Sequence, residues 1–198
     1  MEANELAREL GGMDIYLIDQ VLKSRFRPGS RVLDAGAGSG RNIAWFGRNG
    51  FDVHAVDHDP LAIARLNDFL PPGRTRQAEV TGLPFDDGAF DIALCIAVLH
   101  FLPDQPAFDR AMNELWRVLA PGGLLFARLG TTISVEGHVR QLQGWRHLLP
   151  DGHTEWLLPG LVDLKATAAR LGARILEPIK TSNVENQRAM TTLVLAKT

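Results

Sequence analysis

Apolar and polar positions along the chain fall into blocks of two alternating periods. Ile15, Ile18, Leu22 and Phe26 recur at helical spacing and predict a helix over Asp14 to Phe26, stopped by Arg27-Pro28-Gly29-Ser30. Val32 and Leu33 read as a strand that runs into Gly36, Gly38 and Gly40. A helix through Ile43, Trp45 and Phe46 follows and ends near Asn49-Gly50. Phe51 to Val56 is a second strand, closed by Asp57-His58-Asp59-Pro60. Asp59 and Pro60 have the form of an N-cap and first turn for a helix from Leu61 to Leu70. Pro71-Pro72-Gly73 breaks that helix, Thr75 to Val80 fits a third strand, and Asp86-Asp87-Gly88 reads as a turn. Phe90 to Ala97 is nearly continuous in apolar residues, as in a strand covered on both faces of a parallel sheet. Asp104 and Pro106 open a helix with Phe108, Met112, Leu115 and Leu119 on one face. Pro121-Gly122-Gly123 then turns the chain into a strand from Leu124 to Leu129.

From Gly130 to Gly160 the alternation breaks. Trp145 and Trp156 flank Pro150-Asp151-Gly152, a turn signal that predicts a small hairpin. Leu161 to Leu171 is a last helix. Arg174 to Thr181 and Ala189 to Ala196 are strands joined by a loop too short for a parallel crossover, so they pair antiparallel. The pattern is α/β: a doubly wound, seven-stranded sheet, mostly parallel with a C-terminal antiparallel pair, in one domain over residues 1–198. Ligands of such sheets sit beyond the carboxyl ends of the strands at the switch point.

The glycine loop narrows the ligand. Glycines let a backbone turn sharply and approach a ligand closely. No Gly-Lys-Ser/Thr follows, so the loop is not a P-loop. The spacing Gly-x-Gly-x-Gly also departs from the dinucleotide pattern, and Asp34 before it would repel a pyrophosphate but suit an ammonium or sulfonium group. Asp57 closes strand two near the distance expected of a carboxylate that takes a ribose hydroxyl pair.

Asp34-Ala35-Gly36-Ala37-Gly38-Ser39-Gly40 resembles motif I of the class I S-adenosylmethionine-dependent methyltransferases, a superfamily with a Rossmann-like sheet. Asp57, with His58 beside it, matches their ribose carboxylate. Ala78 to Phe85 resembles the adenine-contacting segment, where Glu79 and the Val80 backbone would meet the base. Phe90 to His100 resembles motif IV, and Leu119-Ala120-Pro121-Gly122-Gly123 the turn before strand five. Gly38-Ser39-Gly40-Arg41-Asn42 and Asn49-Gly50-Phe51-Asp52-Val53 are similar to the tellurite-resistance and thiol methyltransferases. The resemblance implies S-adenosylmethionine as donor, S-adenosylhomocysteine as product, and a donor site built from Tyr16, Asp34, Gly36, Ala37, Gly38, Arg41, Asn42, Asp57, His58, Glu79, Val80 and Ile96.

Methyl transfer from a sulfonium is an in-line displacement that mainly needs alignment and exclusion of water. A thiolate or other anion needs no base; a neutral hydroxyl or amine does. His100, after strand four, is a candidate base or a polar cap. Arg128, at the end of strand five, holds an anionic acceptor or pairs with a carboxylate. Tyr16 closes over the cofactor or packs at the surface. Arg41 and Asn42 contact the cofactor or serve the helix as a cap and surface ion pair. Trp145 and Trp156 cover the acceptor or pack the inserted hairpin of residues 130–160, the acceptor-side segment. Cys95 reads as a buried small hydrophobe. His138, His147 and His153 have no metal-ligand spacing, so no metal is expected.

Composition narrows the function class further. Of 198 residues, 21 are Lys or Arg and 23 Asp or Glu, a net charge of -2 that argues against a whole-surface nucleic-acid field. The acidic start Met-Glu-Ala-Asn-Glu has no apolar signal core, and the apolar runs are too short for a membrane, so a cytoplasmic protein is expected. The expected function is methylation of a small molecule: a thiol, metalloid or metabolite. The rivals are methylation of protein or RNA, nicotinamide-dependent oxidoreduction, and a non-catalytic module that binds the donor.

Overall fold

The computed structural model describes residues 3–198; Met1 and Glu2 of the acidic start lie outside the described residues. The central sheet runs in the order β10-β11-β5-β4-β1-β2-β3. Its strands are β1 (Arg31–Ala35), β2 (Asp52–Asp57), β3 (Thr75–Gln77), β4 (Phe90–Ile96), β5 (Leu119–Thr131), β9 (Ala173–Ile175), β10 (Lys180–Val184) and β11 (Arg188–Lys197). β1 pairs in parallel with both β2 and β4, β2 with β3, and β4 with β5. β11 is antiparallel to β5, β9 and β10. The strand order reverses at β1, between β2 and β4, which sets the switch point there.

Side-chain alternation explains the two cores. Leu33, Ala35, Ala93 and Cys95 face one layer, where Phe108, Met112 and Leu115 of α5 (Gln105–Arg117) and Leu164 of α6 (Leu161–Arg170) pack. Val32, Ile92, Leu94 and Ile96 face the other, against Leu17, Phe46 and Leu66. Those three come from α2 (Ile15–Leu22), α3 (Ala44–Arg48) and α4 (Pro60–Asn67). β4 is apolar throughout because both its faces are covered. The caps read from sequence hold: Asp59 Oδ1 accepts from Leu61 N–H, and Asp104 Oδ1 from Ala107 N–H.

Several boundaries differ. The predicted sixth strand, 174–181, is two short strands, β9 and β10, because the chain leaves the sheet around Pro178, which has no N–H to donate. Pro121-Gly122-Gly123 is no turn but a bulge inside β5: Phe90 pairs with Leu119 and Ile92 with Leu124. Leu119 therefore belongs to the strand, not to the preceding helix. The first predicted helix is capped by Asp14 and ends at Leu22, with Ser24 at φ 55 beyond it. Its buried face is Leu17 and Gln20, while Ile15 is 71% exposed and Leu22 78%. Ile15, Leu17, Ile18, Val21 and Leu22 spread around the helix, so periodicity cannot select a face. Gln20 Nε2 and Lys23 Nζ select it, donating to Glu177 at 2.9 and 2.6 Å. A helix α1 (Ala3–Leu10) precedes it, which the apolar pattern did not predict.

The 130–160 segment holds three antiparallel strands, β6 (Arg140–Gln143), β7 (Arg146–Leu148) and β8 (Glu155–Leu157). The predicted turn at Pro150-Asp151-Gly152 joins β7 to β8. β6 escaped the sequence reading because every residue in it is exposed and it has no apolar alternation. No helix among the described residues is long and apolar enough to cross a membrane.

Candidate active site

β1 ends in the glycine loop. Gly36 N–H and Ala37 N–H both donate to Val56 O, at 2.9 and 3.0 Å, and hold the loop against the end of β2. Gly36 lies at φ +83, and a Cβ there would stand 2.2 Å from Val98 Cγ2. Gly40 answers a different need: a Cβ there would meet Phe69 Cζ at 2.3 Å, so it admits the end of α4 rather than a ligand. The helix expected at the loop opens only at Ala44, after a turn through Arg41 to Ile43.

Asp57 fastens the loop. Its Oδ2 accepts from Gly38 N–H at 2.8 Å and its Oδ1 from Asp59 N–H at 2.9 Å. His58 Nδ1 lies 3.4 Å from Oδ1. A cavity of about 460 Å³ opens beside this carboxylate, lined by Gly36, Gly38, Asp57, His58, Glu79 and Val80. Its opposite wall is Ala97, Val98, Phe101, Leu102 and Pro103. That wall was not read from the sequence. Its one local signal is a bend: Ala97 sits at φ 59, and its N–H is tied to Arg128 O at 2.8 Å. An apolar slot that ends on a fixed carboxylate fits a nucleoside, base against the wall and ribose hydroxyls on Asp57.

A second cavity, about 310 Å³, adjoins the first, since Ala97 and Phe101 line both. Ile96, His100, Arg128 and Arg41 face it, together with Asp14, Trp156, Arg188 and Met190. Arg41 and Ile96, expected on the donor side, thus border the second cavity. His100 is buried, packed 4.2 Å from both Phe101 and Trp156 (ring centroids). Its Nδ1 accepts from Gly130 N–H at 3.1 Å, so the proton of the neutral ring is on Nε2. Burial, with the Arg188 charge behind it, pushes its pKa down to about 4. The ring is a hydrogen-bond donor toward the cavity, which disfavours the base role.

Other expected donor contacts are placed elsewhere. Tyr16 lies under Arg128, whose Cζ is 4.5 Å from the ring centroid, and its hydroxyl bonds Ser182 Oγ. It steadies Arg128 instead of covering the slot. Asn42 is buried, and its Oδ1 accepts from Asp14 N–H at 3.0 Å, which docks the start of α2. Ala37 is buried within the loop and lines neither cavity. Of the two tryptophans, Trp156 covers the second cavity; Trp145 packs edge-on to Phe108 at 5.3 Å.

Asp34 is fully buried behind the loop, and neither carboxylate oxygen has a hydrogen-bond partner. Burial, then the charge of Asp57, raises its pKa to about 7, against the pull of Arg41. It acts on the cavities by charge, not by contact, and an uncompensated acid there fits a cationic ligand. The raised pKa has a consequence for stability. Below pH ~4 both folded and unfolded Asp34 are protonated; between ~4 and 7 only the unfolded group ionises. Wild type should therefore lose about 4 kcal/mol relative to Asp34→Asn as pH rises from 4 to 7, at ~1.36 kcal/mol per pKa unit. Urea denaturation across that range measures it; parallel curves for the two proteins would contradict it.

The reversed strand order, the loop leaving the central strand and the carboxylate on its neighbour define a doubly wound α/β protein built around a nucleoside-sized slot. Residues 33–127 match a family model described as a methyltransferase domain. An uncharacterized methyltransferase of Mycobacterium sp. (strain JLS) is 40% identical over 98 residues, covering 49% of this chain and 38% of that protein. A malonyl-[acyl-carrier protein] O-methyltransferase of Serratia marcescens is 29% identical over 165 residues, covering 79% of this chain and 58% of that protein. The chain thus spans less than two thirds of the length of these relatives. A crystal structure of a Pyrococcus horikoshii OT3 protein shares the fold, with TM-score 0.74 and 17% identity over 93% of this chain and 89% of that one. Over residues 33–127 the chain is thus similar to a methyltransferase domain, and its fold is shared with the Pyrococcus horikoshii OT3 protein.

Proposed function

We propose that this chain moves a methyl group from S-adenosylmethionine to a small-molecule acceptor in the cytoplasm. The observation that carries the proposal is the junction of the two cavities at Ala97 and Phe101. A donor with its ribose on Asp57 and its base along Val80 and Leu102 would direct its sulfonium toward that junction. An acceptor in the second cavity would then meet the methyl carbon in line. Alignment of two bound reactants and exclusion of water supply most of such a rate. Asp57 adds negative charge on the donor side, and a bound sulfonium would favour ionisation of the buried Asp34. A second cavity of about 310 Å³, lined by Trp156 and Phe101, supports a small acceptor over a macromolecular one.

The test is transfer of labelled methyl from S-adenosylmethionine to cell extract, split into small-molecule and macromolecular fractions. Label is expected in the small-molecule fraction, with S-adenosylhomocysteine released in equal amount. Label confined to protein or RNA would contradict the proposal.

A further inference from the structure

The second cavity carries an unusual balance of charge. Three arginines reach it from separate elements: Arg41 after the glycine loop, Arg128 on β5 and Arg188 at the start of β11. Asp14 is the one carboxylate in its lining, and Arg128 already holds it at 3.3 Å. Arg41 bonds a neutral carbonyl, Gly12 O, at 3.1 Å. Arg188 has no carboxylate within ion-pair distance among the described residues. The cavity is thus built with surplus positive charge, and Arg128 is held in place by the Tyr16 ring beneath it.

Among the described residues, the two groups of this cavity that could take a proton, His100 and Asp14, are both already engaged. The Nδ1 lone pair of His100 is occupied by Gly130 N–H, and Nε2 can only donate. Asp14 is occupied twice, by Arg128 and by Tyr16 N–H at 2.9 Å. Cys95 is buried on the far face of β4. An acceptor that must lose a proton during methylation finds no unengaged base in this lining.

We propose that the second cavity is a carboxylate site, and that the acceptor is a small carboxylic acid methylated on its own carboxylate oxygen. This rests on reading the first cavity as the donor site. A guanidinium presents two parallel N–H donors that match the two oxygens of a carboxylate, and match a single sulfur or nitrogen poorly. A carboxylate is ionised at neutral pH and attacks without a base. An oxygen lone pair forms the new O–CH₃ bond. The C–S bond of the sulfonium breaks, and its electron pair returns to sulfur. The products are a neutral methyl ester and a neutral thioether, and no proton moves. His100 Nε2–H and the arginines orient the acid, with Arg188 at the mouth as the residue that selects for charge.

The experiment titrates the protein with S-adenosylhomocysteine, then titrates that complex with benzoate and glutarate, and with benzamide, benzylamine and thiophenol. Carboxylate probes are expected to bind at least tenfold tighter than the matching neutral amide, and less tightly as salt is raised. Arg188→Gln, at an exposed position, is expected to weaken carboxylate binding about tenfold and to change S-adenosylhomocysteine affinity less than twofold. Arg41→Gln serves as a second variant, expected to weaken carboxylate binding about tenfold as well. With labelled S-adenosylmethionine and extract, the small-molecule label should be released as methanol by mild alkali, as from a methyl ester. The carboxylate proposal alone is overturned if S-adenosylhomocysteine binds but no carboxylate does, if amide, amine or thiol probes bind as well, or if the label resists alkali. Absence of S-adenosylhomocysteine binding overturns both readings.

Discussion

Asp57→Ala is expected to weaken S-adenosylhomocysteine binding at least a hundredfold while the protein stays folded. The carboxylate serves two masters in the structure. It accepts Gly38 N–H and Asp59 N–H, fixing the loop against the end of β2, and it faces the slot where a ribose would lie. Each hydrogen bond to a charged group is worth about 1.5–3 kcal/mol, so losing the ribose contact and the loop anchor together is expected to cost at least ~3 kcal/mol of binding. Above pH ~7, where Asp34 is ionised, the fold suffers less, because Asp57 also repels that buried carboxylate. Removing one of two like charges relieves that repulsion and offsets part of the lost bonding. Asp57→Asn should fall between, since its amide keeps one acceptor oxygen and loses the charge. Calorimetry measures the binding and thermal denaturation the stability. An alanine variant that binds within about threefold of wild type would remove Asp57 from the donor site.

Gly36→Ala is expected to be the more destructive of single-carbon changes. Its Cβ would stand 2.2 Å from Val98 Cγ2, and φ +83 is strained for any residue with a Cβ. Valine at 98 cannot simply turn away, because its β-branch restricts χ1. Overpacking of this kind costs about 1–3 kcal/mol, and the positive φ adds about 1–2 kcal/mol. Relief by movement would shift either the loop or the Ala97–Phe101 wall, and both line the slot. The variant should therefore lose S-adenosylhomocysteine affinity by at least tenfold as well as about 2–4 kcal/mol of stability. Val98→Ala placed on top should restore part of the stability by removing the clash, and leave the φ cost. If Gly36→Ala were as stable as wild type, the close approach of Val98 would not exist in solution.

The loop side of the first cavity is legible in the sequence because its lining residues lie close together along the chain. The loop, Asp57, Glu79 and Val80 follow β1, β2 and β3 in order, and a parallel sheet gathers the ends of its strands. The caps at Asp59 and Asp104 are one-residue signals with a local mechanism, and both hold. What stayed hidden depends on distant partners. Asn42 docks an amide 28 residues away, and nothing near it in sequence says so. The buried face of α2 is chosen by Glu177, across 157 residues from Gln20. Asp14, Arg188 and Met190 reach the second cavity from α2 and β11, elements that carry no motif. The sequence assigns Arg128 to an anion or to a carboxylate partner, and the structure gives it the carboxylate of Asp14. The position of His100 after β4 is legible in the sequence, but its protonation follows from Gly130 N–H, a contact only the folded sheet creates.

Calorimetric titration of the wild-type protein with S-adenosylhomocysteine tests the central claim most directly. One site per chain, saturating at micromolar ligand and lost in Asp57→Ala, is the predicted result. A folded protein that gives no binding heat at millimolar ligand would contradict the account.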